Sequence, residues 1–370
     1  MEKGGRIPEK VQALSDIELA VLLCLVADQH CIIETDEGLL DELEAELRVI
    51  ASGVFGLAFS VLDCSEQTTL DDFGSGILVD EDGADYFSSK HAKFREERYF
   101  SASDTSRSFE RRFSKSPRLF SPLDSQRIAN VVIAKNLNNA NSQVQIQALE
   151  LIRGKRNFTR TAVHAAPRPF LFIALNVSGS ARLTTHLNDR FLILHKHHAG
   201  DSLPNLEELQ IKESVSDDGA STSSVVRSAP RMYENQKPAP VTFSQEDLDK
   251  LVALTAEVKV GSEVRAYLHN IVVFMRLHRA VGGGISAIAT RHLSDLSHAL
   301  APLHGLSYVT PSLVALAARK IYPHRIIITS PESERSMQWG SSLQAVKAIL
   351  EGVTVEDVIE EVLQSVEVPL

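Results

Sequence analysis

Cys31-Ile32-Ile33-Glu34-Thr35-Asp36-Glu37-Gly38-Leu39-Leu40-Asp41-Glu42 sets the fold class. It reads as a short apolar strand, a loop with one glycine, and the opening of a helix. Leu39, Leu40, Leu43, Leu47 and Ile50 fall at helical spacing, and the acids Asp41, Glu42, Glu44 and Glu46 take the other face. The alternation repeats outward. Leu57 to Leu62 reads as a second strand, and Ile128 to Ala134 as a third, continuously apolar apart from Asn130 and therefore central. Gln143 to Ile152 is helical, Phe170 to Leu175 gives a fourth strand and Phe191 to Leu194 a fifth. Strand–helix–strand order predicts an α/β core with a parallel sheet covered on both faces. Ser244, with Asp247 three residues on, caps a helix, and amphipathic segments then run to Val366, predicting a helical domain.

The 370 residues suit two domains at about 150 residues each. The core is expected over 1–85 and 128–210 and the helical domain over 241–370. Between them, 86–127 is Ser-rich and basic without helical or strand period and reads as a mobile insertion. The polar, proline-ended stretch 211–240 reads as a flexible linker. Ser114 follows Arg111-Arg112-Phe113, and Ser116 and Ser121 each precede a proline, so these three are phosphorylation candidates as well as ordinary loop serines. The net charge of −10 is uneven: residues 1–85 hold 4 basic and 20 acidic side chains, whereas 86–127 hold 10 and 5. Such a balance disfavours a nucleic-acid partner and an anionic-membrane coat. No apolar run reaches the ~18 residues of a membrane helix, the best, Leu19 to Ala27, stopping at Asp28. Met1 to Lys10 lacks the apolar core of a secretory signal. Three cysteines, Cys24, Cys31 and Cys64, read as small buried hydrophobes in a reducing interior. The expected location is cytoplasmic, with the nucleus also open.

In an α/β sheet, the loop between a first strand and its helix is where phosphates are usually held. From that loop onward the chain resembles the MoxR and magnesium-chelatase subunit I branch of the AAA+ ATPases, which carries E-G-P-P-G-x-G-K-T there. Gly38 matches one glycine, Thr35 and Leu40 stand on the other two, Asp41 falls on the phosphate-binding lysine and Glu42 on the magnesium-binding threonine. Ile128 to Ala140 is similar to the family's Walker B string F-A-N-h-h-h-A-D-E-I-N-R-A (h, hydrophobic), with Lys135 on its aspartate and Asn136 on its glutamate. Phe172-Ile173-Ala174-Leu175-Asn176 looks like the sensor-1 strand, with Asn176 on the sensor position. Leu187 to Phe191 resembles L-D-R-F, which puts Arg190 on the arginine-finger position. Gly284 to Ala289 lies on the sensor-2 string G-A-S-P-R-A with Ile288 replacing the arginine, and Gly305 to Arg325 resembles the lid segment ending in H-R. The resemblance therefore implies an AAA+-like parallel-sheet core followed by an all-helical lid domain.

The departures carry chemistry. A working P-loop wraps phosphates in backbone N–H groups and adds a lysine charge. Carboxylates at that place repel phosphate by on the order of 4 kcal/mol per contact at ~4 Å and an effective dielectric of ~20. Lys135 removes the acidic anchor for magnesium, and Asn136 cannot serve as general base. The expectation is a degenerate AAA+ ATPase-like protein, not itself hydrolysing, that acts as a scaffold or silent subunit of an oligomeric assembly. No cofactor is expected, with ATP and magnesium entering only if the degenerate site is still occupied. The exchanged signs at Asp41 and Lys135 raise a direct ion pair, against the alternative that both face solvent. The rival reading is a subunit of an ATP-dependent magnesium chelatase or MoxR-type complex, contributing in trans through Arg190 or, equally, carrying it as a surface arginine. A regulatory binding protein switched through the Ser-rich stretch is a third. The resemblance implies as partners another copy, an AAA+ paralogue or a von Willebrand A domain protein.

Three further strings carry local expectations. His195-Lys196-His197-His198 puts two histidines on one strand face without a companion carboxylate or cysteine, so a solvated strand end is expected rather than a metal site. Gly282-Gly283-Gly284 sits between helical segments and reads as a hinge. Trp339 reads as a packing anchor for the last helices.

Overall fold

The computed structural model describes residues 6–80, 126–159, 162–207 and 243–369. Phosphorylation candidates Ser114, Ser116 and Ser121, and the 211–240 linker, lie outside them. Two helices, α1 (Arg6–Gln12) and α2 (Asp16–Val26), precede β1 (His30–Thr35) and α3 (Leu40–Val49). Next come β2 (Phe59–Asp63), α4 (Leu70–Gly76) and the short β3 (Leu78–Asp80) and β4 (Gln126–Ile128). The core then runs through β5 (Val131–Lys135), α5 (Ser142–Gly154), β6 (Arg156–Phe158), β7 (Val163–Ala165), β8 (Leu171–Val177), α6 (Thr185–Asn188) and β9 (Phe191–Lys196).

The main sheet has the order β2-β5-β8-β1-β9, and every pair in it is parallel. Strand side chains alternate between two apolar layers. Cys31, Ile33, Ile133 and Ile173 join one cluster with α2 and α3. Ile32, Val132, Phe172 and Ala174 join the other with α4 and α5. Local signals fix the helices: α2 starts in a capping box, where Ser15 N donates to Glu18 at 2.7 Å, and α5 is capped by Asn141, which accepts from Val144 N at 3.0 Å.

The structure corrects several expectations. The run from Ile128 to Ala134 is two strands, because Asn130 leaves the ladder and donates to Pro169 O at 2.9 Å. β4 pairs antiparallel with β3 instead of entering the main sheet, so Gln126 and Arg127 are strand residues and not the end of an insertion. Glu46 is buried rather than solvated. It accepts from Asn205 N at 3.2 Å, Asn205 Nδ2 at 2.7 Å and Leu206 N at 2.7 Å, satisfying amides at the start of a turn near residue 204. The cysteines are all free and buried.

The C-terminal part contains α7 (Gln245–Glu257), α8 (Ser262–Leu277), β10 (Val281–Gly283), α9 (Ala287–Leu303), α10 (Pro311–Ile321), β11 (Ile327–Ile328), α11 (Leu343–Leu350) and α12 (Val355–Ser365). Ser244 caps α7 through a capping box with Asp247. Apolar residues of these helices, such as Ile271, Leu293 and Ala317, belong to the same cluster as Leu22 and Ile33, so the helical part packs on one face of the sheet. Gly282-Gly283-Gly284 is not a hinge: Val281 and Gly283 pair antiparallel with β11. Gly284 has φ +99°, and a Cβ there would lie 1.9 Å from Arg325 O, so only glycine fits. Trp339 is 86% exposed and anchors nothing. No helix among the described residues is long and apolar enough to cross a membrane.

Candidate functional site

The loop between β1 and α3 is closed by a single short turn. Glu37–Leu39 form one 3₁₀ turn, in which Leu39 N donates to Asp36 O at 3.0 Å and Leu40 N donates to Glu37 O. These amides, which would otherwise point at an anion, are already bonded. Gly38 is exposed, and a Cβ there would meet nothing within 4 Å, so its glycine character serves no close approach. Glu42 is exposed as well.

Lys135, at the end of β5, reaches across to α3. Its ammonium pairs with Asp41 and lies 3.3 Å from Glu44 Oε2. The Lys135 side chain is 12% exposed, while that of Asp41 is 87% exposed. The hydrogen bond that Lys135 donates to Asp41, aided by Glu44, raises the Lys135 pKa against the opposing cost of burial. The two positions that flank magnesium and phosphate in the resembled family are here joined to each other. Asn136 follows in the left-handed region (φ 55°), with its N–H donating to Leu175 O at 2.8 Å. Its half-buried side chain carries no charge.

Asn176 stands opposite Glu34 in the β1–β8 register. It is buried, its Oδ1 has no partner, and it lines a cavity of about 270 Å³ with Glu34, Arg182 and Lys196. Burial raises the Glu34 pKa, and Lys196 and Arg182 oppose that shift. Ile288 is the second residue of α9, half-buried, and supplies no cation. Arg190 is half-buried after α6 and forms no ion pair with the described residues. The structure thus joins Asp41 to Lys135, and no ion pair links Glu42 or Arg190 to them among the described residues.

What the sequence reading missed is the junction of core and helical part. Arg325 is buried, with Nη1 donating to Ile321 O at 3.2 Å and Nη2 to Asp189 O at 3.2 Å, to Phe191 O, and to His292 Nδ1 at 2.6 Å. Its Nε lies 3.4 Å from Asp189 Oδ1. Desolvation lowers Arg325 to about 10. His324 Nε2 donates to Phe191 O at 3.1 Å, and its carbonyl accepts from Asn188 Nδ2 at 2.7 Å. Ser286 adds a bond to Asp189 Oδ1 at 2.8 Å. The signal was the H-R that ends the lid-like segment.

His195 and His197 are buried, not solvated: β9 is covered there by α10 and α2. Burial lowers the His195 pKa to about 4. Among the described residues no group of three or more His, Cys, Asp or Glu could hold a metal ion.

With this geometry in place, similarity to known proteins is informative. Residues 273–346 match the AAA lid domain family. A solved structure of a candidate ATPase from Cytophaga hutchinsonii superposes with a TM-score of 0.63, at 16% identity, covering 99% of this chain and 94% of that one. The fold is that of an AAA+ ATPase. In sequence, the chain is 33% identical over 104 residues to Maintenance of telomere capping protein 2 of Lachancea thermotolerans, spanning 27% of this chain and 36% of that protein. It is 23% identical over 247 residues to YeaC of Bacillus subtilis, spanning 66% and 67% of the two. The lid match takes in α9 and α10 together with the β10–β11 pair.

Proposed function

We propose that this chain is a non-hydrolysing AAA+-like subunit that acts as a scaffold in an oligomeric assembly. The observation that supports it is the ion pair of Lys135 with Asp41 and Glu44, which fills the place where magnesium and phosphate would sit. The bonded amides of the 3₁₀ turn support it further. The kinship to the yeast proteins supports telomere capping as the setting of that assembly, with another copy, an AAA+ paralogue or a von Willebrand A domain protein as the partner class. The match spans 36% of the Lachancea protein and 40% of the one from Kluyveromyces lactis, so its wider activity is carried over only as part of this proposal.

Phosphate release from ATP by the purified chain should not exceed the buffer rate. Turnover, or an ATP affinity that is lost in Gly38→Ala or Asn176→Ala, overturns the reading. Affinity purification with mass spectrometry identifies the assembly. A second reading is contribution in trans to a MoxR- or magnesium chelatase-type ATPase, favoured by Arg190 having no ion-pair partner among the described residues. Mixing with an active AAA+ paralogue tests it: stimulated turnover that Arg190→Ala abolishes is the expected sign.

A further inference from the structure

A cavity of about 920 Å³ lies between the β10–β11 pair and the segment linking β8 to β9. It shares no residue with the Asp41–Lys135 pair. Its volume is within the range of small-molecule sites, and its walls are largely apolar, including Leu183, Val281, Ile285, Ile327 and Ile328. The polar groups are unusual for a chain of net charge −10. Arg182, Arg276, Arg325 and Arg335 line it, against one carboxylate, Asp189.

That carboxylate is already engaged by Arg325 and Ser286. The other three guanidiniums have no carboxylate within 4 Å among the described residues; nearby Glu334 pairs with Arg279 at 3.8 Å. Instead they are tied to backbone oxygens. Arg276 Nε donates to Ile285 O at 3.1 Å and its Nη2 to Ser286 O at 3.4 Å, with Thr290 Oγ1 at 3.2 Å. Arg335 Nη2 donates to Arg276 O at 2.6 Å, and Arg182 Nη1 to Ile326 O at 3.0 Å. Each guanidinium is held through only part of its five N–H groups, the rest making no hydrogen bond among the described residues. Like charges gathered and pre-oriented at the mouth of an apolar cleft repel one another until an anion arrives, and guanidinium forks match phosphate oxygens.

We propose that this cleft binds an organic phosphate of nucleotide size, its phosphates met by Arg182, Arg276 and Arg335 and its apolar body seated against Val281, Ile285 and Ile327. The site is independent of the loop after β1, so binding here is compatible with a chain that does not hydrolyse ATP.

Calorimetric titration of the full chain with ATP, inorganic tripolyphosphate and adenosine tests it. ATP should bind, tripolyphosphate more weakly, and adenosine without measurable heat. Arg335→Glu and Arg276→Gln should each weaken ATP by at least about tenfold, with Arg153→Glu, on the exposed face of α5, as a charge control that changes nothing. Thermal unfolding checks that each variant is folded, and Arg335, exposed and held by one bond, is the safer of the two. Absence of ATP binding at millimolar concentration, or unchanged affinity in folded Arg335→Glu, overturns the proposal. Equal affinity for tripolyphosphate and ATP overturns the organic part. Affinity that depends on Gly38 rather than on Arg335 moves the ligand to the loop after β1 and sinks the functional reading as well, so the two failures are separable.

Discussion

Two charged clusters hold opposite positions in this molecule. Where the sheet meets the helical part, Arg325 is enclosed with His292 and His324, its side chain 1% exposed, beside an Asp189 that is 19% exposed. Between β5 and α3, Lys135 meets Asp41 on a carboxylate open to solvent. Buried pairs are costly to break because the survivor is left unpaired. Exposed pairs are screened and contribute little. The buried cluster should therefore stabilise the contact between sheet and helical part more than the Asp41–Lys135 pair stabilises its own surroundings.

Arg325→Met should have the largest effect, about 3–5 kcal/mol of lost stability by urea unfolding, since it leaves three carbonyls without their donor and removes the cation beside Asp189. A loss below 1 kcal/mol would break the contrast between the two clusters. Acid should weaken the same junction. Burial holds His292 at about 3 and His324 well below its ordinary value, so both are neutral when folded. The unfolded chain takes up these protons below about pH 6.5. Their contribution is therefore complete above that pH and falls as pH drops toward 3, by up to roughly 1.4 kcal/mol per pH unit for each histidine. Urea midpoints that stay flat from pH 7 to 5 would contradict this. Glu46→Ala, which leaves the amides of Asn205 and Leu206 without an acceptor, should cost about 1–3 kcal/mol in the same assay. The smallest effect belongs to Asp41→Asn, less than about 1 kcal/mol. Exchanging both charges (Asp41→Lys with Lys135→Asp) should be poorly tolerated, because the new carboxylate would face Glu44.

The sheet was legible where apolar runs are bounded by turn residues, as at β1, β8 and β9. It was not legible at Ile128 to Ala134, because apolar continuity says nothing about where a strand changes partner, and Asn130 does so through Pro169, which is remote in the chain. The charge exchange at Asp41 and Lys135 could be read because the resemblance aligned two positions 94 residues apart. The Arg325 junction showed only as the H-R string: its backbone acceptors at Asp189 and Phe191 lie more than 130 residues away and carry no side-chain signature. His195 and His197 were misjudged for a related reason. Alternation along a strand tells which residues share a face, but not that α10 and α2 cover it.

The β3–β4 ladder sets Asp80 directly opposite Gln126, so the chain leaves and re-enters the core at neighbouring points. A pair of strands closed in this way insulates the fold from whatever lies between them, since the entropy of closing a loop rises only slowly with its length. The core can therefore host a long, a short or an exchanged segment at that doorway, leaving evolution, or an engineer, free to rewrite the passage without disturbing the sheet.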